Sequence, residues 1–189
     1  GVRGMTALAV LLGNPNSSLE DLVLEGCSLD DEGALVLAGA LAGNKTLRTL
    51  RLGQNRDITF TGWRAVFALL ESAQSSVENL FLSTNSVDDA AATMLANALA
   101  NGTSLNALDL SQCHNITIEG WRAIFTALQS PRCMLQELFL NNNELNDEDV
   151  NYLANSLASN CVLRILDLDH NTPITASGWR AFAAVLQNP

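Results

Sequence analysis

Cations are scarce in this chain: ten Lys and Arg face twenty Asp and Glu, for a net charge of −10 and a pI near 4.4. That balance argues against nucleic acid as a partner, because phosphate neutralisation needs a basic face. It also disfavours docking on an anionic membrane surface. Long apolar runs are missing too, and none approaches the roughly 18–20 residues of a membrane-spanning helix. Two His and four Cys leave little material for a catalytic triad or a zinc site, and no Gly-rich phosphate loop or zinc-type Cys spacing occurs. An enzyme is therefore not expected, nor any cofactor or metal. What is abundant is apolar: a hydrophobic fraction of 48% and a mean hydropathy of +0.14 point to a folded chain rather than a disordered one.

The apolar residues repeat. The pattern Leu-x-x-Leu-x-Leu-x-x-Asn/Cys occurs six times, beginning at Leu19, Leu47, Val77, Leu105, Leu135 and Leu163, and ending on Cys27, Asn55, Asn85, Cys113, Asn143 and Asn171. Spacings alternate between 28 and 30 residues (47 − 19 and 77 − 47), so the true period is a pair of 58. The longer kind carries Ile-Thr-x-x-Gly-Trp-Arg-Ala at Ile58–Ala65, Ile116–Ala123 and Ile174–Ala181; the shorter kind carries acidic loops at Asp30-Asp31-Glu32, Asp88-Asp89 and Asp147-Glu148-Asp149. After each strand an apolar or small residue recurs at every fourth position, as in Leu29, Gly33, Leu37, Leu41, which predicts an amphipathic helix of about three turns. The fifth repeat breaks the series with Asp149. Either its helix shifts and Val150 moves inward, or Asp149 caps the helix start.

One such unit cannot bury its own apolar face, but a stack of them can. Strands pack about 4.8 Å apart and helices about 8–10 Å apart. The stack must therefore curve, with a parallel sheet on its concave side and helices on the convex side. The predicted fold is an α/β solenoid over 1–189 as a single domain, with a partial repeat at 1–18 and repeats starting at 19, 47, 77, 105, 135 and 163. Inward Asn amides at the strand ends would satisfy turn backbone groups, with Cys27 and Cys113 as smaller substitutes. The acidic loops precede helices, where the dipole favours negative charge, and lack the spaced ligands of a calcium loop.

In these motifs the chain resembles the ribonuclease-inhibitor-like class of leucine-rich repeats, along its whole length. The resemblance implies a horseshoe that binds proteins; the low cysteine content and the Gly-Trp-Arg-Ala signature depart from the inhibitor itself. Both ends stop within a repeat, so a piece of a longer array is expected, with self-association possible through uncapped ends.

The binding face expected is the concave one, where residues between the strand leucines are free of core duty. Its central column reads Val23, Arg51, Phe81, Asp109, Phe139, Asp167, with Asp21, Thr49, Asn79, Glu137 and Ile165 on one flank and Glu25, Ser83, Asn141 and Asp169 on the other. Two exposed Phe among alternating charges have the character of an interface with aromatic anchors. A protein is the expected partner. An architectural subunit is the alternative, and a regulator of a nucleotide-switch enzyme using Arg51 or Arg164 is a third reading. Trp63, Trp121 and Trp179, with Phe67 and Phe125, could form a ligand strip; their alternation with Ala34, Ala92 and Val150 in the shorter repeats favours packing. Arg64, Arg122 and Arg180 are expected at the surface, paired with acids on the next helix. Cys133 and Cys161 hold equivalent places in adjacent repeats, and free thiols are the expectation. The opening Gly1-Val2-Arg3-Gly4 shows no readable targeting signal, and a cytoplasmic location is expected. Four Asn-x-Ser/Thr triplets (Asn16, Asn44, Asn101, Asn115) leave secretion open.

Overall fold

The structure is a computed structural model, and it describes residues 2–14, 16–72 and 75–187. Helix and strand alternate throughout. In order come α1 (Val2–Leu12), β1 (Asp21–Val23), α2 (Asp31–Leu41), β2 (Thr49–Arg51), α3 (Phe60–Leu70), β3 (Asn79–Phe81) and α4 (Asp89–Asn101). They are followed by β4 (Ala107–Asp109), α5 (Ile118–Ala127), β5 (Glu137–Phe139), α6 (Asp147–Leu157), β6 (Ile165–Asp167) and α7 (Ala176–Gln187). The six strands form one parallel sheet in sequence order, β1 to β6, as the repeat pattern predicts. Each strand is three residues long, a turn-bearing loop leads from it to the next helix, and each has its leucine pointing into the core.

Leu50, Leu80, Leu108 and Leu138 are essentially inaccessible, as are the four-residue ladders behind them, such as Ile58, Val66 and Leu70. The ladder opens in α7, where Phe182 is half-buried and Leu186 exposed, since no further helix stacks over it among the described residues.

Two polar devices tie successive repeats together. The first is the Asn ladder. Asn143 Oδ1 accepts from Cys113 N–H at 2.8 Å, while its Nδ2 donates to Leu110 O and Leu140 O. Asn85 does the same for Asn55 N–H, Leu52 O and Leu82 O, and Asn171 for Asn143 N–H, Leu140 O and Leu168 O. One amide thus satisfies backbone from two repeats, as expected of buried polar groups. Cys113 fills the same slot with a thiol near Leu82 O, and burial pushes its pKa up to about 12. Cys27 departs from the expectation. It is exposed, because at this end of the sheet no earlier strand encloses its turn.

The residue before each ladder position has a left-handed backbone: Gly26, Gln54, Thr84, Gln112, Asn142 and His170, with φ between 55° and 62°. That turn aims the N–H of the first five at the carbonyl of the following repeat, as in Thr84 N–H to Ser111 O at 2.9 Å. A β-branched residue is strained there, whereas Asn visits this region readily. Thr84→Asn is expected to raise stability by about 0.5–1 kcal/mol, read as a higher urea midpoint with unchanged slope.

The second device was not visible as a motif in either repeat taken alone. Asp31, Asp89 and Asp147, the first residues of α2, α4 and α6, reach across to the cap of the next helix. Asp89 Oδ1 accepts from Thr117 N–H at 2.7 Å and Gly120 N–H at 3.2 Å, while Thr117 Oγ1 donates to Asp89 Oδ2 at 2.7 Å. The same bonds join Asp31 to Thr59 and Gly62, and Asp147 to Thr175. Each threonine is itself the N-cap of the Trp-bearing helix or stands in that place. One carboxylate therefore lies against the positive end of a second helix. These clamps join α2 to α3, α4 to α5 and α6 to α7. No such clamp joins α3 to α4 or α5 to α6 among the described residues.

Candidate protein-binding face

The strand register sets the concave surface. Residues on either side of each inward leucine point away from the helices, and pairing aligns them in columns. One column is Asp21, Thr49, Asn79, Ala107, Glu137, Ile165; the next is Val23, Arg51, Phe81, Asp109, Phe139, Asp167. Ala107 was missing from the sequence reading of the first column, as were Gly53 and Ser111 from the third. Small residues give no signal in a search for recognition side chains.

Val23 and Ile165, at the two ends of the sheet, are 57% and 45% exposed. Phe81 and Phe139 are half-buried rather than exposed as expected. Arg51 covers Phe81 directly, its guanidinium carbon 4.1 Å from the ring centroid, and its Nε lies 3.8 Å from Asp21 Oδ1. Arg48 is engaged as well, 2.9 Å from Glu78. Further along, Asp109 Oδ1 accepts from Ser111 N–H at 2.8 Å and Asp167 Oδ1 from Asp169 N–H at 2.9 Å. Ser111 Oγ is hydrogen-bonded to Asn141 Oδ1. The face thus changes character along its length. Arg51 on β2 and Arg48 just before it are already partnered, while β4 to β6 present carboxylates, with Arg164 just before β6.

A family model described as Leucine Rich repeat matches residues 16–38 and 159–183. Over 98% of its length the chain is 34% identical to mouse "NACHT, LRR and PYD domains-containing protein 14", and over 90% it is 30% identical to mouse ribonuclease inhibitor. The chain is a leucine-rich-repeat solenoid. It spans 18% of the length of that NACHT relative and 37% of the inhibitor. Among solved structures, the chain matched in the yeast Rad7 and Elc1 complex resembles the solenoid with a TM-score of 0.66 at 22% identity, covering 94% of the solenoid and 41% of that chain. The likeness is one of fold.

Trp63 and Trp121 are buried, each stacked on the Phe four residues later with centroids 5.8 Å and 6.0 Å apart. Trp179 is 41% exposed on the open face of α7. Of the three arginines that follow the Trp, Arg122 meets an acid on the next helix, Glu148, at 2.6 Å; Arg64 and Arg180 are exposed without a recorded ion pair among the described residues. His114 and His170 are exposed in turns. All four Cys are free thiols, with Cys133 buried and Cys161 exposed. Arg164 is exposed beside β6. No helix among the described residues is long and apolar enough to cross a membrane.

The acidic loops are helix starts, as expected, and more. Asp30 and Asp88 cap α2 and α4 through Gly33 N–H and Ala91 N–H, both at 2.9 Å. In α6 the cap is Asn146, and Asp149 completes a capping box by accepting from Asn146 N–H at 2.9 Å. The helix does not shift, since Val150 occupies the inner place that Ala34 and Ala92 hold elsewhere.

The clamp carboxylates Asp31 and Asp147 carry a pH signature. Bonds from the Thr175 hydroxyl, Thr175 N–H and Gly178 N–H hold Asp147 below the usual carboxylate range. At Asp31, burial acts upward, but bonds from Thr59 and Gly62 outweigh it and the carboxyl is again lowered. A depressed folded pKa stabilises the fold above the unfolded value near 3.8 and loses that contribution as pH falls through the folded value. Asp149 acts in the opposite sense, because burial raises it and its protonation favours the folded state. Urea midpoints taken from pH 6 to pH 2.5 should fall below about pH 4, and Asp147→Asn should flatten that fall.

Proposed function

We propose that the chain is a protein-recognition module, acting as one domain over 1–189 and contacting its partner through the concave sheet face. The role is binding rather than catalysis, and its setting is the cytoplasm. Val23, Arg51, Phe81, Asp109, Phe139 and Asp167 form the centre of the contact, with Glu137 and Ile165 on its flank. The observation that carries this reading is the register. These residues lie in two unbroken columns across all six strands, free of core packing, on a surface curved to wrap a convex partner. Half-buried aromatics within a polar surround are the composition of energetic centres in protein interfaces.

Capture from the source lysate tests it, with the wild type beside Phe81→Ala/Phe139→Ala confirmed as folded. A protein held by the wild type and lost by the double variant is the expected result. Equal capture by both would reject the concave face as the contact. It would favour the second reading, an architectural subunit joined through its ends. That reading rests on the groove of about 810 Å³ between β6 and α7, lined in part by Trp179 and Leu186, which are 41% and 44% exposed.

A further inference from the structure

The period of 58 residues allows the concave face to be compared with itself. In the central column, Val23, Phe81 and Phe139 hold one position of the pair, and Arg51, Asp109 and Asp167 the other. At Phe81 the ring already carries a cation. The Arg51 guanidinium lies 4.1 Å over it, and Arg51 Nε is 3.8 Å from the Asp21 carboxylate. The chain has built, from its own residues, a guanidinium held by an aromatic face and a carboxylate.

At Phe139 the same position has different neighbours. Asp109 stands where Arg51 stood, and Asp167 lies on the other side. With strands about 4.8 Å apart, the two carboxylates flank the ring at a separation of about 10 Å. Among the described residues no cation lies on Phe139, and no Lys or Arg pairs with Asp109, Glu137 or Asp167. Both aspartates are already oriented. One oxygen of each accepts a backbone N–H two residues on, which leaves the other to accept from a ligand.

We infer that the row Asp109–Phe139–Asp167 receives an arginine side chain from a basic segment of the protein partner. The inference rests on the concave-face reading above and names the chemistry that face selects. A guanidinium is planar, weakly hydrated and able to stack on a ring while donating to a carboxylate at its edge, which a lysine ammonium does less well. Its charge also relieves the mutual repulsion of Asp109, Asp167 and the neighbouring Glu137. Ile165, exposed on β6 beside Glu137, offers apolar surface to the side-chain stem.

The test is an amide-detected NMR titration of the isotope-labelled chain with two blocked pentapeptides, Gly-Gly-Arg-Gly-Gly and its citrulline counterpart. Citrulline keeps the shape of arginine and loses the charge. The arginine peptide is expected to shift amides around Asp109, Phe139 and Asp167, and to bind at least about fivefold more tightly than the citrulline peptide. Asp109→Asn/Asp167→Asn, which keeps the two local acceptor bonds, should remove that preference. Arg51→Ala should uncover Phe81 between Asp21 and Asp109 and add a second cluster of shifts there. Equal response to the two peptides overturns the inference, as do shifts confined to the helix-side acids. Capture of a partner that is lost in Phe81→Ala/Phe139→Ala but kept in Asp109→Asn/Asp167→Asn also overturns it, while leaving the concave-face reading intact. Capture unaffected by the Phe pair, with the arginine preference present, sinks the wider reading and leaves the row as an arginine site.

Discussion

Asn143→Leu is expected to lower the free energy of unfolding by about 3 kcal/mol or more, the largest loss among substitutions that leave the helices untouched. Leucine fits the volume but cannot answer Cys113 N–H or Leu110 O, which the Asn143 amide satisfies at 2.8 Å and 2.9 Å, while Leu140 O keeps its bond from Asn171. The site is 6% exposed, so water does not replace the amide easily. Each buried polar group left without a partner costs about 1–3 kcal/mol, where a satisfied bond contributes only about 1. Because the two orphaned groups belong to the fourth repeat and the lost amide to the fifth, the loss should reduce the stability of the array at that inner junction rather than fray one end. Urea unfolding followed by circular dichroism measures it. A loss below about 1 kcal/mol would mean that water enters the turn and that the ladder is a convenience.

Gly120→Ala is the second large effect, and helix propensity points the wrong way. Alanine in a helix interior is favoured over glycine by about 1 kcal/mol, yet a loss of about 2–3 kcal/mol is expected from overpacking and a broken clamp. A Cβ at Gly120 would lie 2.6 Å from Asp89 Oδ1, 2.7 Å from Ile116 Cγ2 and 3.2 Å from Ala92 Cβ. Asp89 could retreat only by releasing its bonds to Thr117 and Gly120 N–H. Gly62 has the same surroundings, with Asp31 Oδ1 at 2.7 Å, and should respond alike. Gly4→Ala is the control, since nothing lies within 4 Å of a Cβ there. It should be neutral or slightly stabilising. An equally mild Gly120→Ala would show that the helices can separate at no cost.

The backbone was legible in the sequence because it obeys two periods at once. Leucines spaced for a strand and apolar residues spaced four apart gave both layers, the strand order and the columns of the concave face. Side-chain contacts between repeats were harder to read. The Asp–Thr–Gly clamp lies 28 residues apart in sequence (31 to 59, 89 to 117, 147 to 175), and each part has an adequate local explanation. Asp belongs in a first helical turn, Thr at a cap and Gly in tight packing. Only their recurrence at one offset in all three pairs could have suggested that they meet. Arg51 illustrates the same limit. On the surface it reads as a free cation, but its neighbour on the next strand is an aromatic ring, and a single register step decides whether that ring is open or covered. Cys27 and Trp179 match their repeats in sequence and differ in exposure, since burial depends on a neighbouring repeat that a pattern within one repeat does not specify.

The alternation of the clamps has a mechanical consequence. A stack with equal joints would bend evenly and yield from whichever end frays first. Here stiff joints alternate with softer ones. The seam between α3 and α4 has no carboxylate clamp, and the helices across it meet less extensively than α4 and α5 do. Under tension the chain should therefore part at that seam first and then at the one after α5, which the solvent-facing Arg122–Glu148 pair holds only weakly, releasing pairs of repeats rather than single ones. Each release would free 58 residues, or roughly 200 Å of contour at about 3.4 Å per residue. The same seams would act as hinges in bending, letting the concave face open or close in two steps while the surface within each clamped pair keeps its shape.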